Sequence, residues 1–289
     1  AGTTCNFGTG SDSTSSVALG DIDSDGDLDV VVGNVNQQNV SYLNDGFCSF
    51  AGGGTAFGTG SDGTLSMAIA DVDADGDLDL LTGNGGQQNV VYLNSGAGNY
   101  VTNSFSNFGT GSDGTWSVAL GDVNGDGYLD LVTGNDNQQN AVYLNDGTGN
   151  FSWPGSARTF GTGDDTTYSI ALGDIDGDGD LDIVTGNDGE QSAVYLNDGA
   201  GNFPTASARH FGADTDSTLS AALGDINSDG HLDIITGNGE QNVAYVNDGS
   251  GHFDWSGSAR YFGTGTDETW SVAVGDVDSD GDLDIVTGN

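Results

Sequence analysis

Three features of the sequence predict an all-β fold made of repeated four-stranded antiparallel sheets. The chain repeats itself at a period of about 51 residues. Gly, Asn and Asp interrupt every repeat at intervals too short for an amphipathic helix. Between those breaks the apolar residues alternate or run in β-branched groups. The period is marked by Phe-Gly at Phe7, Phe57, Phe108, Phe160, Phe211 and Phe262, with spacings of 50, 51, 52, 51 and 51. Repeat units thus start near residues 7, 57, 108, 160, 211 and 262, five complete and a sixth that stops at Asn289.

Each unit reads as four strands in order. The first, SVALGD at 117–122, alternates larger Val and Leu with small Ala and Gly, the strand period of two. The second, LDIVTGN at 181–187, is β-branched and bounded by Gly and Asn. The third, AVYLN at 141–145, runs into Asp146-Gly147, a hairpin signal. The fourth leads into the next Phe-Gly. Four antiparallel strands in about 50 residues is the signature of a β-propeller blade. Small residues on the innermost strand, such as Ala18 and Gly20, let adjacent sheets approach, while Phe, Leu and Val fill the gaps farther out. A lone blade cannot bury itself, so stability depends on neighbours. The expectation is one β-propeller domain over residues 1–289. The sixth unit lacks its third strand and most of its fourth, and residues 1–10 resemble the end of a fourth strand. Sharing of terminal strands restores only part of that blade. A longer chain with a further blade, or a strand borrowed from another molecule, would supply the rest.

Composition defines the chemistry. Among 289 residues there are 41 Asp, 3 Glu, 3 Arg and no Lys, for a formal net charge of −41. Nucleic acid and anionic membrane surfaces are excluded as partners, because Lys and Arg drive both associations. No apolar run is long enough to span a bilayer as a helix. Regularly spaced Phe, Tyr, Trp, Leu, Ile and Val within a 35% hydrophobic content separate the chain from a disordered acidic tail. The residual charge fits secretion into water rich in salt or divalent ions, or serves only to keep a repetitive β protein soluble.

The loops hold 26 of the 41 Asp residues. Carboxylates packed this closely repel by about 1 to 4 kcal/mol per pair, and the chain has too few cations of its own to offset them. In the pattern DxDxDGxxD, side chains at the first, third, fifth and ninth positions converge if the loop coils tightly, Gly at the sixth permits the turn, and the seventh contributes its backbone carbonyl. That all-oxygen cage suits Ca²⁺ better than Mg²⁺. It resembles the first half of an EF-hand loop without the Glu at position twelve. The expected ligand-bearing residues are Asp21, Asp23, Asp25, Asp27 and Asp29 in the first repeat and Asp71, Asp73, Asp75, Asp77 and Asp79 in the second. The third has Asp122, Asn124, Asp126, Tyr128 and Asp130, and the fourth Asp174, Asp176, Asp178, Asp180 and Asp182. The fifth has Asp225, Asn227, Asp229, His231 and Asp233, and the sixth Asp276, Asp278, Asp280, Asp282 and Asp284. Position seven accepts Tyr and His, as a backbone donor would. Apolar residues at positions two and eight are expected to pin each loop to the core on both sides. About six calcium ions, one per repeat, would hold the first two strands of every blade in register.

On the Phe-Gly dipeptide, the DxDxDGxxLD loop and the NDG hairpin, the chain resembles the FG-GAP/VCBS repeats of integrin-like calcium-binding β-propellers over essentially its whole length. The resemblance implies a ring, often of seven blades, acting outside the cell or at its surface as a non-catalytic recognition or adhesion module. It implies extracellular protein or glycan partners, lectins being among the relatives. Two other readings stand beside it: a structural subunit of a surface layer or filament, self-assembling through the incomplete last blade, and the propeller part of a polysaccharide-active enzyme.

Other motifs carry less. The GxGxxG at Gly58, Gly60 and Gly63 is followed by strand pattern, which argues against a dinucleotide fingerprint. His210, His231 and His252 occupy non-equivalent positions and form no constellation. The position before the repeated Ser carries Ser15, Leu65, Trp116, Tyr168, Leu219 and Trp270. Trp116, Tyr168 and Trp270 are candidate ligand platforms there, with packing as the alternative. Gln-Gln-Asn at 37–39, 87–89 and 138–140 offers amides to glycan hydroxyls or to turn backbone. Arg158, Arg209 and Arg260, each in Ser-Ala-Arg, suggest ion pairs with neighbouring acidic loops. Asn39 and Asn150 head glycosylation sequons. Cys5 and Cys48 form one disulfide in an oxidising compartment or remain two buried thiols.

Overall fold

A computed structural model of the chain describes residues 6–8, 11–47, 50, 53–98, 100, 105–112, 114–153, 155–163, 165–213, 217–265 and 268–289. Cys5 and Cys48, and with them the expected disulfide, lie outside the described residues. The chain divides into two compact units, residues 1–120 with 145–156, and residues 121–144 with 157–289.

In the first unit β1 (Thr14–Gly20), β2 (Asp29–Asn34), β3 (Asn39–Tyr42) and β4 (Thr55–Phe57) form one antiparallel sheet in sequence order. β5 (Thr64–Ala70), β6 (Asp79–Asn84), β7 (Asn89–Tyr92) and β8 (Phe105–Phe108) form a second. All but the last residue of β9 (Thr115–Gly121) belongs here too. In the second unit β10 (Asp130–Asn135), β11 (Asn140–Tyr143) and β12 (Ala157–Phe160) pair in order. β13 (Thr166–Gly173), β14 (Asp182–Asp188), β15 (Ser192–Tyr195) and β16 (Arg209–Phe211) make a four-stranded sheet. β17 (Thr218–Gly224), β18 (Asp233–Asn238), β19 (Asn242–Tyr245) and β20 (Ala259–Phe262) make another, and β21 (Ser271–Gly275) pairs with β22 (Asp284–Gly288) alone. The only helical element among the described residues is a 3-10 turn at Thr205–Ser207.

The second strands β2, β6, β10 and β18 are buried at every residue, because each is flanked in its own sheet and covered on its faces by neighbours. The core therefore lies between consecutive sheets. In the first unit Ile22, Val31 and Phe57 pack with Leu80, Tyr92 and Tyr100 of the next sheet. In the second unit Ile175, Val184, Val194 and Phe211 meet Ile234, Val243, Tyr245 and Phe253 in the same way. Phe57, Phe160 and Phe211 each end a fourth strand and stand edge-on to the Tyr of the following sheet, with ring centroids 5.2 Å apart for Phe57–Tyr92, 5.1 Å for Phe160–Tyr195 and 5.0 Å for Phe211–Tyr245. The Gly of each Gly-Asn pair is dictated by the same stacking. A Cβ on Gly33, Gly83, Gly134, Gly186 or Gly237 would lie 2.8 Å from the methyl of Thr64, Thr115, Thr167, Thr218 or Thr269 in the next repeat.

Candidate metal centres

The acidic loops join the first and second strands of each sheet, and their geometry recurs from repeat to repeat. The first-position carboxylate closes the loop on itself. Asp21 accepts the N–H of Asp25 at 3.0 Å and of Gly26 at 2.9 Å, and Asp71, Asp122, Asp174, Asp225 and Asp276 accept the corresponding pair. Gly at position six has φ between 90° and 98° in all six loops, a conformation that favours Gly. Position four is left-handed too, with Ser24, Ala74, Ser228 and Ser279 at 60° to 63°. Part of the electrostatic cost of the crowded carboxylates is thus offset by backbone dipoles before any cation arrives.

The ninth position is different in kind. Asp29, Asp79, Asp182 and Asp233 open the second strands with their carboxylates buried. One oxygen accepts the N–H of the second loop residue (Ile22, Val72, Ile175, Ile226) at 2.9–3.1 Å. The other accepts the N–H of Asn44, Asn94, Asn197 or Asn247 at 2.7–2.9 Å, at the end of the third strand. Burial pushes Asp29 and Asp233 upward and takes Asp79 and Asp182 to about 6, with the accepted N–H groups opposing. Desolvation, then neighbouring carboxylates, also raise Asp23, Asp73 and Asp176 at position three, whereas the exposed Asp225 at position one is held low by the Gly230 N–H.

Carboxylate oxygens of the first, third and ninth positions converge to within 4.8 Å of one another in four loops: Asp21, Asp23 and Asp29; Asp71, Asp73 and Asp79; Asp174, Asp176 and Asp182; Asp276, Asp278 and Asp284. Asn124 and Asn227 hold the third position in the other two, and their oxygens accept the N–H of Asp126 and Asp229 at 2.9 Å. Such spacing admits a hard cation with 2.3–2.6 Å bonds to oxygen. In the fourth loop the buried Oδ1 of Asp176 has no hydrogen-bond partner, an acceptor left for a cation. The fit is to a metal bound by oxygen alone.

Asp25, Asp75, Asp126, Asp178, Asp229 and Asp280 at position five stand in solvent outside these clusters, each accepting the N–H of residue seven. At position seven, Asp27, Asp77, Asp180 and His231 lie against the hairpin glycines Gly46, Gly96, Gly199 and Gly249, while Tyr128 and Asp282 are exposed. Ile22, Val72, Val123 and Ile175 at position two are buried as expected. Position eight departs from expectation: Leu28 is 61% exposed. In later repeats this Leu packs on the innermost Gly of the preceding sheet, as Leu78 does on Gly20, so the contact requires a preceding sheet.

The other sequence features lie in differing surroundings. A register shift lies between Thr167 and Ser169, so Tyr168 is a bulge residue, half-buried, with its hydroxyl bonded to Asp188. Trp116 is half-buried and Trp270 is 58% exposed. The Asn of Gln-Gln-Asn is buried and donates across sheets, Asn39 to Thr64 and Asn89 to Thr115, as Asn140 does to Thr167. These amides are not free for sugar hydroxyls, and Asn39 is closed to glycosylation. Arg158 donates to the Ala200 carbonyl and Asn202, and Arg209 to the Ser250 carbonyl, so both clamp the next hairpin turn, and the charge of Arg209 also favours the ionised carboxyl of Asp176 in the neighbouring acidic loop.

Two clefts recur at equivalent positions, a feature the sequence pattern did not single out. One of 370 Å³ in the first unit is walled by Phe57, Tyr92 and Tyr100 with Gln38, Gln88 and Asp62. One of 910 Å³ in the second is walled by Phe211, Tyr245 and Phe253 with Trp255, Gln191 and Gln241.

The profile of the FG-GAP-like repeat family matches residues 21–82, 71–133, 122–185, 174–236 and 225–287, each match beginning at a first-position Asp. Among solved structures, an Agrocybe aegerita lectin described for recognition of non-reducing terminal N-acetylglucosamine is similar at 20% identity and a TM-score of 0.59, over 94% of this chain and 73% of the lectin. BBS1N, solved in complex with ARL6DN, is similar at 11% identity and a TM-score of 0.62, over 98% and 77%. The V. cholerae biofilm matrix protein Bap1 is similar at 16% identity and 0.51, over 84% of this chain and 39% of its own. No curated protein matched significantly. At these identities the likeness is one of fold, all-β and propeller-like.

Proposed function

The chain belongs to the FG-GAP-like repeat family, and from that premise we propose that it is an extracellular, calcium-stabilised β-propeller domain acting as a non-catalytic recognition or adhesion module. The observation that carries the calcium reading is the recurrent convergence of first, third and ninth carboxylates. The remaining oxygens would come from position five and from the carbonyl of position seven. When bound, calcium supplies the positive charge these loops lack and ties the first strand to the second. The recognition reading is supported by the clefts that recur beside the buried Phe–Tyr stacks, and by the company of a lectin and a biofilm matrix protein among propeller-like neighbours. Repetition favours several weak sites whose avidity exceeds any one of them.

At ten times Kd each calcium adds about 1.4 kcal/mol of stability. The melting temperature is therefore expected to fall markedly once bound calcium has been stripped and its absence verified; identical melts with and without metal would sink the reading. A glycan array in calcium buffer tests the ligand class. Binding to a defined terminal sugar supports a lectin, and a blank array directs the clefts to a protein ligand.

A further inference from the structure

Four of the six acidic loops are gripped by the hairpin turn of the following repeat. The Asn of the turn donates its side-chain amide to the carbonyl of the second loop residue one repeat back: Asn94 to Ile22 at 2.7 Å, Asn145 to Val72 at 2.7 Å, Asn197 to Val123 at 2.8 Å and Asn247 to Ile175 at 2.8 Å. The second Gly of the same turn lies on the same loop. A Cβ on Gly98 would sit 3.2 Å from Ile22 and 3.3 Å from Asp23, and one on Gly149 would sit 3.3 Å from Val72 and 3.4 Å from Asp73.

These bonds run on from repeat to repeat. In the first unit the backbone N–H of Asn94 binds Asp79, Asp79 binds the Val72 N–H, and the Val72 carbonyl receives Asn145. In the second unit the Val123 carbonyl receives Asn197, whose N–H binds Asp182, which binds the Ile175 N–H, and the Ile175 carbonyl receives Asn247, whose N–H binds Asp233. The same peptide groups thus belong to a metal loop and to the joint between sheets. Resting on the calcium reading above, we propose that Asn94, Asn145, Asn197 and Asn247 are positioning residues through which filling of one calcium loop orders the next, so that the sites load cooperatively along each unit. An ion that fixes the ninth-position Asp fixes the neighbouring Asn, and through its amide the backbone of the preceding loop. Coupling of this kind is carried by a packed, hydrogen-bonded element whose equilibrium both sites bias, and the two arrangements it would take are loop ordered and loop loose.

Asn44 provides an internal control. In the first sheet it binds its own Asp29 and the Leu28 carbonyl and, among the described residues, makes no bond to another repeat's loop. The test is a calcium titration of the stripped full chain by calorimetry, for the parent and for Asn94→Asp, Asn197→Asp and Asn44→Asp. The replacement retains the side-chain oxygen and removes the donor. The parent is expected to load more steeply than independent sites. Asn94→Asp and Asn197→Asp should flatten the isotherm and raise its midpoint by about five-fold or more, with Asn44→Asp close to the parent. Independent loading by the parent overturns the coupling and leaves calcium binding intact, whereas no heat and no bound calcium overturns the calcium reading itself. Equal flattening in Asn44→Asp also overturns the coupling, since loss of an own-sheet bond would then suffice. Should a variant fail to fold, the steepness of the parent isotherm decides.

Discussion

Asp79 and Asp75 lie four residues apart in one loop, yet their surroundings assign them different work. Asp79 is buried and satisfies the N–H groups of Val72 and Asn94, while Asp75 stands in solvent and accepts the N–H of Asp77. Replacing Asp79 by Ala orphans two buried donors at about 1–3 kcal/mol each, so Asp79→Ala is expected to cost about 3 kcal/mol in chelator as well as in calcium. Asp75→Ala should barely alter the chelated protein and should raise the calcium needed for half-maximal stabilisation. Urea titrations of both variants in both buffers check this, and equal losses for the two in chelator would contradict it. The same burial gives a pH dependence. Asp79 and Asp182 titrate near 6 in the folded chain against 3.8 as the ordinary value, so the folded state holds their protons more tightly. Their contribution is fully present below about pH 4 and is lost as pH rises through 6. The chelated protein should therefore melt higher at pH 5 than at pH 7, and the gap between calcium-loaded and chelated melts should widen over that interval.

At the scale of strands and turns, stacking is fixed by what the next sheet brings to each Gly-Asn pair. A methyl at Gly83 would lie 2.8 Å from Thr115 and 3.0 Å from Val118. Gly83→Ala is expected to cost about 1–3 kcal/mol by overpacking; thermal melts of the variant and the parent decide, and a neutral Gly83→Ala would mean that the next sheet yields to the added methyl. The strands and their order were legible because a period of about 51 residues with fixed punctuation constrains every copy at once. The acidic loop was legible because its carboxylate positions stay fixed while the residues between them vary. Partners were not. Composition marks Gln-Gln-Asn, Ser-Ala-Arg and Asn-Asp-Gly as polar and recurrent, but nothing local tells that Asn94 donates to a carbonyl 72 residues back or that Arg209 donates to a turn carbonyl. The bulge at Tyr168 was equally hidden, because a register shift depends on the partner strand. Position eight held in part: the same Leu packs on the core at 78 and 232 and is exposed at 28.

For the whole molecule the governing quantity is charge. A net −41 on 289 residues with only three Arg is self-repulsion that the fold must survive in every state. Backbone N–H groups offset it locally inside each loop, and calcium at every repeat would add +2 per site, but most of the excess remains after both. What is left acts over distances that salt can screen, since the Debye length falls from about 10 Å at 0.1 M to about 3 Å at 1 M. Two contributions then separate by experiment. In chelator the melting temperature should climb steeply with sodium chloride, because repulsion within and between loops is being screened. In saturating calcium the climb should be shallower, because the closest carboxylates are already bridged by an ion that monovalent salt does not replace. Repeating both series with an excluded, uncharged osmolyte such as sucrose removes general solvent effects from the comparison. Parallel salt slopes in chelator and in calcium would mean that the loops are not where the repulsion resides, and that the Asp residues outside them set the salt requirement of the fold.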